Sequence, residues 1–135
     1  MEKDIRQSIT DYKMPRYICE ILCNHYAKAF LDMTIICEND TYIFSYDKKN
    51  KRRLVYRELT EIDKLQLVLT LIMINDNNCQ MLIGAERYLI EPELIYSVGN
   101  RTDYDSIGIL FYPDTTMTPF NIKLIRFMDK IGTKH

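Results

Sequence analysis

The longest apolar run of the chain, residues 65–74, restricts its fold more than any other feature. Gln66 and Thr70 interrupt the run, which is well short of the roughly 20 apolar residues that span a bilayer. Thr60 precedes it, with Asp63 three residues later, a spacing that approximates a capping box at a helix N-terminus. Because few polar residues break any face of this helix, we predict that it is the central and most buried helix of a globular domain.

Length and composition indicate one domain. The 135 residues are 47% hydrophobic and 27% charged, with a formal net charge of −1, values typical of a chain that buries a core without disulfides. We predict a single domain over residues 15–132, preceded by a polar leader at residues 1–14. The charged N-terminus lacks the apolar stretch of an export signal, so we expect a cytoplasmic protein without membrane insertion, whose four cysteines are reduced, buried thiols.

The pattern along the chain predicts an α+β fold. Apolar residues recur at helical spacing in some segments, and β-branched and aromatic residues dominate others. The predicted helices cover residues 15–30, 61–74, 79–86 and 118–131, and the predicted strands cover 33–37, 41–46, 54–56, 88–90, 94–98 and 106–112. This order predicts antiparallel hairpins that flank the central buried helix, rather than a parallel sheet.

The sequence contains few groups that could run a reaction. Its glycines are isolated, so it has no glycine-rich loop for phosphate binding. His25 is the one histidine away from the C-terminus, and we interpret it as an exposed helix residue, with a catalytic base as the alternative. We therefore predict a protein that is not an enzyme and uses no cofactor.

The sequence also does not predict a metal site or a catalytic pair of carboxylates. Cys19 and Cys23 share a predicted helix face next to His25, but a structural zinc site needs four ligands and no second ligand pair follows, so we predict no metal. Carboxylates at predicted loops and strand ends are Glu91, Glu93, Asp103, Asp105 and Asp114. Their spacing does not distinguish them from ordinary surface acids.

The strongest charge feature is the basic run at residues 48–53. It comprises Lys48, Lys49, Lys51, Arg52 and Arg53. Five cations in six residues can bind the phosphates of nucleic acid or an acidic protein surface, or they can form a solvated loop after a strand. Because the overall charge gives no long-range attraction for nucleic acid, we keep a nucleic-acid or acidic-partner binder as the alternative function.

Aromatic residues near predicted loops are the other interaction candidates. Most of the ten tyrosines fall in predicted strands or helix stripes, where we expect them to pack in the core. Tyr104, Tyr112 and Phe120 lie near predicted loops. We therefore expect these three aromatics to contribute to a surface that binds a protein partner.

Three segments together resemble a known family. They are YIFSYD at residues 42–47, YLIEPELIY at residues 88–96 and GILFYP at residues 108–113. In this order they resemble an uncharacterised bacterial domain that commonly precedes a forkhead-associated (FHA) module. That domain is similar to the cytoplasmic pseudokinase of YukC/EssB-type components of type VII secretion. The resemblance spans residues 15–131 and implies a degenerate kinase-like fold in a signalling or secretion-associated protein.

The resemblance also implies loss of phosphoryl transfer. It places residues 89–95 at the catalytic loop, where kinases have an Asp three residues before a Pro and an Asn two residues after it. Leu89 and Leu94 stand at these two positions. The later strand ends in Tyr-Pro-Asp at residues 112–114 rather than in Asp-Phe-Gly. The resemblance thus implies a non-catalytic interaction domain. We expect no FHA module after Gly132, so a phosphothreonine-binding role is not carried over from the resemblance.

Overall fold

The computed structural model shows an α+β fold and describes residues 5–10, 13–114 and 116–132. Its helices are α1 (Arg16–Cys23), α2 (Glu61–Gln80) and α3 (Phe120–Ile131). Its strands are β1 (Ile5–Thr10), β2 (Asp32–Glu38), β3 (Thr41–Asp47), β4 (Arg52–Arg53), β5 (Tyr88–Leu89), β6 (Tyr96–Ser97), β7 (Ile107–Gly108) and β8 (Leu110–Phe111). None of the described helices is long and apolar enough to cross a membrane.

The largest sheet is antiparallel, with strand order β1-β3-β2. The β2–β3 hairpin turns at Asn39 and Asp40, whose φ angles of 47° and 65° are those that a two-residue hairpin loop requires. This confirms the predicted hairpin. β1 pairs with β3 along its whole length, inside the segment expected as a leader. Only Ile5 and Ile9 of β1 are apolar, so the sequence gives no strand pattern there.

Helix α1 ends at Cys23, so the prediction of a helix to residue 30 is wrong. The amide nitrogen of the Asn24 side chain donates to the carbonyl of Glu20 at 2.8 Å, and His25 adopts a left-handed φ of 59°. Asparagine readily makes such local bonds to the backbone and so favours helix ends.

The chain after α1 runs alongside the C-terminal half of the protein. Phe30 forms a parallel bridge with Ile109. The amide of Leu31 donates to the Ile109 carbonyl at 2.9 Å, and the Ile109 amide donates to the Ala29 carbonyl at 2.9 Å. Ala29 and Phe30 are therefore buried by this bridge and not by a helix stripe.

Helix α2 begins at the predicted capping box. The Thr60 hydroxyl accepts from the Asp63 amide at 3.1 Å, and the Thr60 amide donates to the Asp63 carboxylate at 3.0 Å. These two bonds satisfy backbone donors that the first helical turn leaves unpaired.

The predicted break at residues 75–78 and the predicted helix at residues 79–86 are wrong, because α2 continues to Gln80. Asn75 and Asn77 find partners outside the helix. Asn75 accepts a hydrogen bond from the Tyr88 hydroxyl, and Asn77 donates to the Tyr104 hydroxyl at 2.8 Å. Side chains bonded in this way no longer compete with the helix backbone.

The second half of the chain forms two small antiparallel units. In one, β5 pairs with β8, and in the other, β6 pairs with β7 and with β4. The β6–β7 pair confirms the predicted hairpin across residues 99–105. Helix α3 ends, as predicted, at a left-handed Gly132 with φ 77°. Its N-cap is Pro119, so the expected cap at Thr118 is wrong.

Aromatic rings join the large sheet to the small strand pairs. The rings of Phe44 and Phe111 lie 6.1 Å apart, and those of Phe30 and Phe111 lie 5.7 Å apart, both in edge-to-face geometry. The Tyr46 hydroxyl donates to the Phe111 carbonyl. Burial raises the pKa of Tyr46 well above its ordinary value, so this hydroxyl keeps its proton.

Candidate functional site

The basic run is divided between a turn and a strand. Lys51 closes the turn by donating its amide to the Lys48 carbonyl at 2.9 Å. Lys49 adopts a left-handed φ of 52° and its ammonium forms an ion pair with Asp32. The hydrogen bond from Lys49 holds the pKa of the Asp32 carboxyl below its ordinary value, against the opposing effect of partial burial.

The two arginines of the run belong to β4. Arg52 is opposite Ser97 and Arg53 is opposite Tyr96, whose hydroxyl accepts from the Arg53 Nε at 3.4 Å. Consecutive strand residues point to opposite faces. The five cations of residues 48–53 are therefore divided between a turn and a strand. The sequence had indicated one continuous basic segment.

The three candidate aromatics each contact the rest of the fold. The Tyr104 hydroxyl accepts from Asn77, and the Tyr112 hydroxyl donates to the Ser8 carbonyl at 2.8 Å. Phe120 is partly buried against the hydrophobic core. These contacts give all three aromatics a structural role, because each is partly buried.

The cysteines are free, and the expectation that all four are buried is wrong. Cys19 is partly buried, whereas Cys23, Cys37 and Cys79 are exposed. His25 is exposed as well, with Nδ1 at 3.3 Å from the Asp32 carboxylate. Over the ranges that the structure describes, no group of three or more His, Cys, Asp or Glu residues could hold a metal ion.

A cleft of about 250 Å³ brings charged residues together beside α3, and we call it the α3 cleft. One wall is formed by residues 89–91, which begin at the last residue of β5, and another by Asp114, Thr116 and Thr118. The third wall is one face of α3. The residues of α3 that line the cleft are Lys123, Arg126 and Lys130. Sequence reasoning missed these cations, although their spacing of three and four residues is the signal of a shared helix face.

Lys123 is the most buried cation of the α3 cleft, with a side chain only 9% exposed. Its ammonium donates to the carbonyls of Ala85 and Tyr88, the latter at 2.9 Å, and to the Asp114 carboxylate at 2.9 Å. These three bonds use all three N–H groups of the ammonium. Lys123 therefore fastens α3 to the segment around β5 and has no donor left for a ligand.

The carboxylate of Asp114 is likewise bonded to several partners, and its side chain is only 14% exposed. Its carboxylate also accepts from the amide of Thr116 at 2.9 Å and from the hydroxyl of Thr116. Burial raises the pKa of Asp114, but the bonds from Thr116 and Lys123 outweigh burial and hold the pKa below its ordinary value. An ionised carboxylate that is paired in this way is a poor general base.

At the rim of the α3 cleft, more N–H donors are without a partner among the described residues. Lys130 donates to the Glu91 carboxylate at 2.7 Å. Arg126 is exposed and has no hydrogen bond or ion pair to another residue in the described ranges. The cleft can therefore offer unused N–H donors to an anion, whereas its acids are already paired.

A second surface feature is an apolar stripe on the outward face of α2, which we call the α2 stripe. It consists of Ile62, Leu65, Leu69 and Met73, whose side chains are 49–78% exposed. These residues follow each other at steps of three or four and so share one face of the helix.

The opposite face of α2 is buried. It carries Leu67, Leu71 and Ile74, which contact the core. α2, which we expected to be the central and most buried helix, is therefore buried on one side and exposed on the other. Because both faces are apolar, the sequence pattern does not reveal which of them packs inward.

Comparisons with protein-family models, with curated proteins and with solved structures find no match.

Proposed function

We propose that this protein is a non-catalytic protein-interaction domain whose docking surface is the α2 stripe. The observation that supports this proposal is the exposure of four large apolar side chains in a row on the longest helix. Single exposed apolar residues are common, but contiguous exposed patches on a folded protein are typical of interaction sites.

Three residues, of which Leu89 and Asp114 line the α3 cleft, favour a non-catalytic function. Leu89 and Leu94 stand where the kinase resemblance calls for a substrate-orienting Asp and a magnesium-binding Asn. Asp114 is paired with Lys123 and Thr116 and is not available to a metal or a substrate hydroxyl. A degenerate pseudokinase that acts in a signalling or secretion-associated assembly is the function that fits both features.

Changing the α2 stripe tests the interaction. The double variant Leu65→Gln/Leu69→Gln is expected to lose partner binding while it keeps its stability within about 1 kcal/mol, because both side chains are exposed. Proteins retained from a lysate of the source cell by immobilised wild type and by this variant are compared by mass spectrometry, and sedimentation velocity measures self-association.

Ile122→Gln/Ile125→Gln is the matched control, since it removes two exposed apolar side chains from α3. This control is expected to retain the same proteins as wild type. Retention of the same proteins by the α2 stripe variant, with unchanged self-association, would contradict the proposed docking surface.

Nucleotide titration tests the absence of kinase activity. We expect ATP with magnesium to raise Tm by no more than ATP alone, because the residues at positions 89 and 94 are leucines that cannot hold a metal–nucleotide complex. Differential scanning fluorimetry with ATP, with and without Mg²⁺, measures this. A magnesium-dependent rise of more than about 2 °C would count against a non-catalytic function.

A further inference from the structure

We propose that the α3 cleft binds a phosphate monoester through Arg126 and Lys130. The inference rests on the charges and unused donors of this cleft and does not depend on the α2 stripe. A phosphate monoester carries a charge of about −1.5 to −2 at neutral pH and three acceptor oxygens.

The charges of the α3 cleft favour an anion. Lys123, Arg126 and Lys130 face two carboxylates, those of Glu91 and Asp114, so one formal positive charge is in excess. Because Lys123 and Asp114 neutralise each other at the bottom of the cleft, the excess charge lies at the rim. The rim is the part of the cleft that an incoming ligand meets first.

The unused donors are on the same two rim residues. Lys130 uses one N–H for Glu91 and keeps two, and the guanidinium of Arg126 has five N–H donors without a partner in the described ranges. Positions 126 and 130 are one helical turn apart, so the two cations can contact different oxygens of one bound group. Arginine in particular recognises phosphate by two parallel hydrogen bonds.

Phosphate fits these donors better than a carboxylate does. A carboxylate has two oxygens and one charge, which the fork of Arg126 alone would satisfy, whereas a third oxygen and a second charge can engage Lys130 as well. The group can come from a phosphorylated protein side chain or from a small phosphorylated molecule. Both sources share the same terminal phosphate.

The test is a titration followed by ¹H–¹⁵N NMR at constant ionic strength. The probes are inorganic phosphate, N-acetyl-phosphoserine amide, ribose 5-phosphate and acetate. We expect saturable shifts of backbone amides in residues 116–130 with the phosphate probes, and only linear shifts with acetate. Stronger binding of the phosphoserine probe than of ribose 5-phosphate would assign the site to a protein side chain, and the reverse order would assign it to a small molecule.

Three variants make the test specific. Arg126→Gln is expected to weaken phosphate binding at least about 10-fold, because it removes a charge-assisted bidentate contact. Glu91→Gln is expected to strengthen binding by about 3-fold, since it frees Lys130 from its carboxylate partner. Arg101→Gln, which removes an exposed arginine that pairs with Asp103 away from the cleft, is expected to leave binding unchanged.

The NMR spectra also report whether each variant is folded. The proposal is overturned if phosphate shifts do not saturate, if acetate saturates in the same way, or if Arg101→Gln weakens binding as much as Arg126→Gln. Unchanged binding by a folded Arg126→Gln variant would likewise exclude the α3 cleft as the site.

Discussion

Lys123→Met is expected to lower the free energy of unfolding by about 3 kcal/mol, because it leaves a largely buried carboxylate and two carbonyls without their donor. Methionine keeps the apolar stem of the side chain, so the loss reports on the ammonium and not on packing. Urea unfolding of wild type and variant at pH 7 measures the difference.

The control is Lys130→Met, which removes the exposed ion pair with Glu91 on the same helix. We expect this variant to lose less than about 1 kcal/mol, because solvent screens an exposed pair. Equal losses in the two lysine variants would show that Lys123 does not hold α3 in place.

The effect of Lys123→Met should also shrink as the pH falls below about 4, the ordinary pKa range of an aspartate. In wild type the pKa of Asp114 is lowered on folding, so its stabilisation is complete above the pKa of the unfolded chain and is lost as pH falls through the lower folded pKa. In the variant the unpaired carboxylate takes up a proton on acidification. This removes the free-energy cost of a largely buried negative charge without a partner. A difference that grows with acidity would contradict this pairing.

Phe44→Ala is expected to cost about 3–5 kcal/mol, because the ring is fully buried and its removal leaves a cavity. The ring of Phe44 packs against Phe111 at 6.1 Å and Tyr112 at 5.9 Å, so it connects the large sheet with the strand pair β5–β8. Thermal unfolding followed by circular dichroism measures the loss.

Ile36→Ala is the matched control on the neighbouring strand β2, where the side chain is exposed. We expect this change to stay within about 1 kcal/mol of wild type. Because Phe30 and Tyr46 also contact Phe111 and remain in the variant, Phe44→Ala should still unfold in a single transition. Two separate transitions, with only the large sheet affected, would contradict this connection.

The elements that sequence reasoning predicted correctly are those with a local signal. The capping box fixes the start of α2, Gly132 fixes the end of α3, and a short polar turn fixes the β2–β3 hairpin. Each of these signals depends on side chains within a few residues of the position concerned.

Elements that depend on distant partners were not predictable in this way. The asparagines at positions 75–78 predict a break, but Tyr88 and Tyr104 bind two of them and α2 continues. The sequence of β1 is mostly polar, so only its pairing with β3 in the structure identifies it as a strand.

The candidate sites were also missed for a physical reason. In the sequence, Asp114 and Glu91 appear as two of several scattered acids, and the fold alone places them opposite Lys123 and Lys130. The α2 stripe was predicted to be buried, because apolar residues cover both faces of the helix and periodicity cannot separate them. The basic run was the most visible charge feature, yet the fold divides it between a turn and a strand.

The bridge between Phe30 and Ile109 affects how the protein folds during synthesis. Phe30 leaves the ribosome long before Ile109. Strands β1 and β3 also emerge early, but Ser8 of β1 and Tyr46 of β3 form hydrogen bonds with Tyr112 and Phe111, which emerge late. A nascent chain therefore carries the β1-β3-β2 sheet without β8 packed against it until residues 109–112 have emerged.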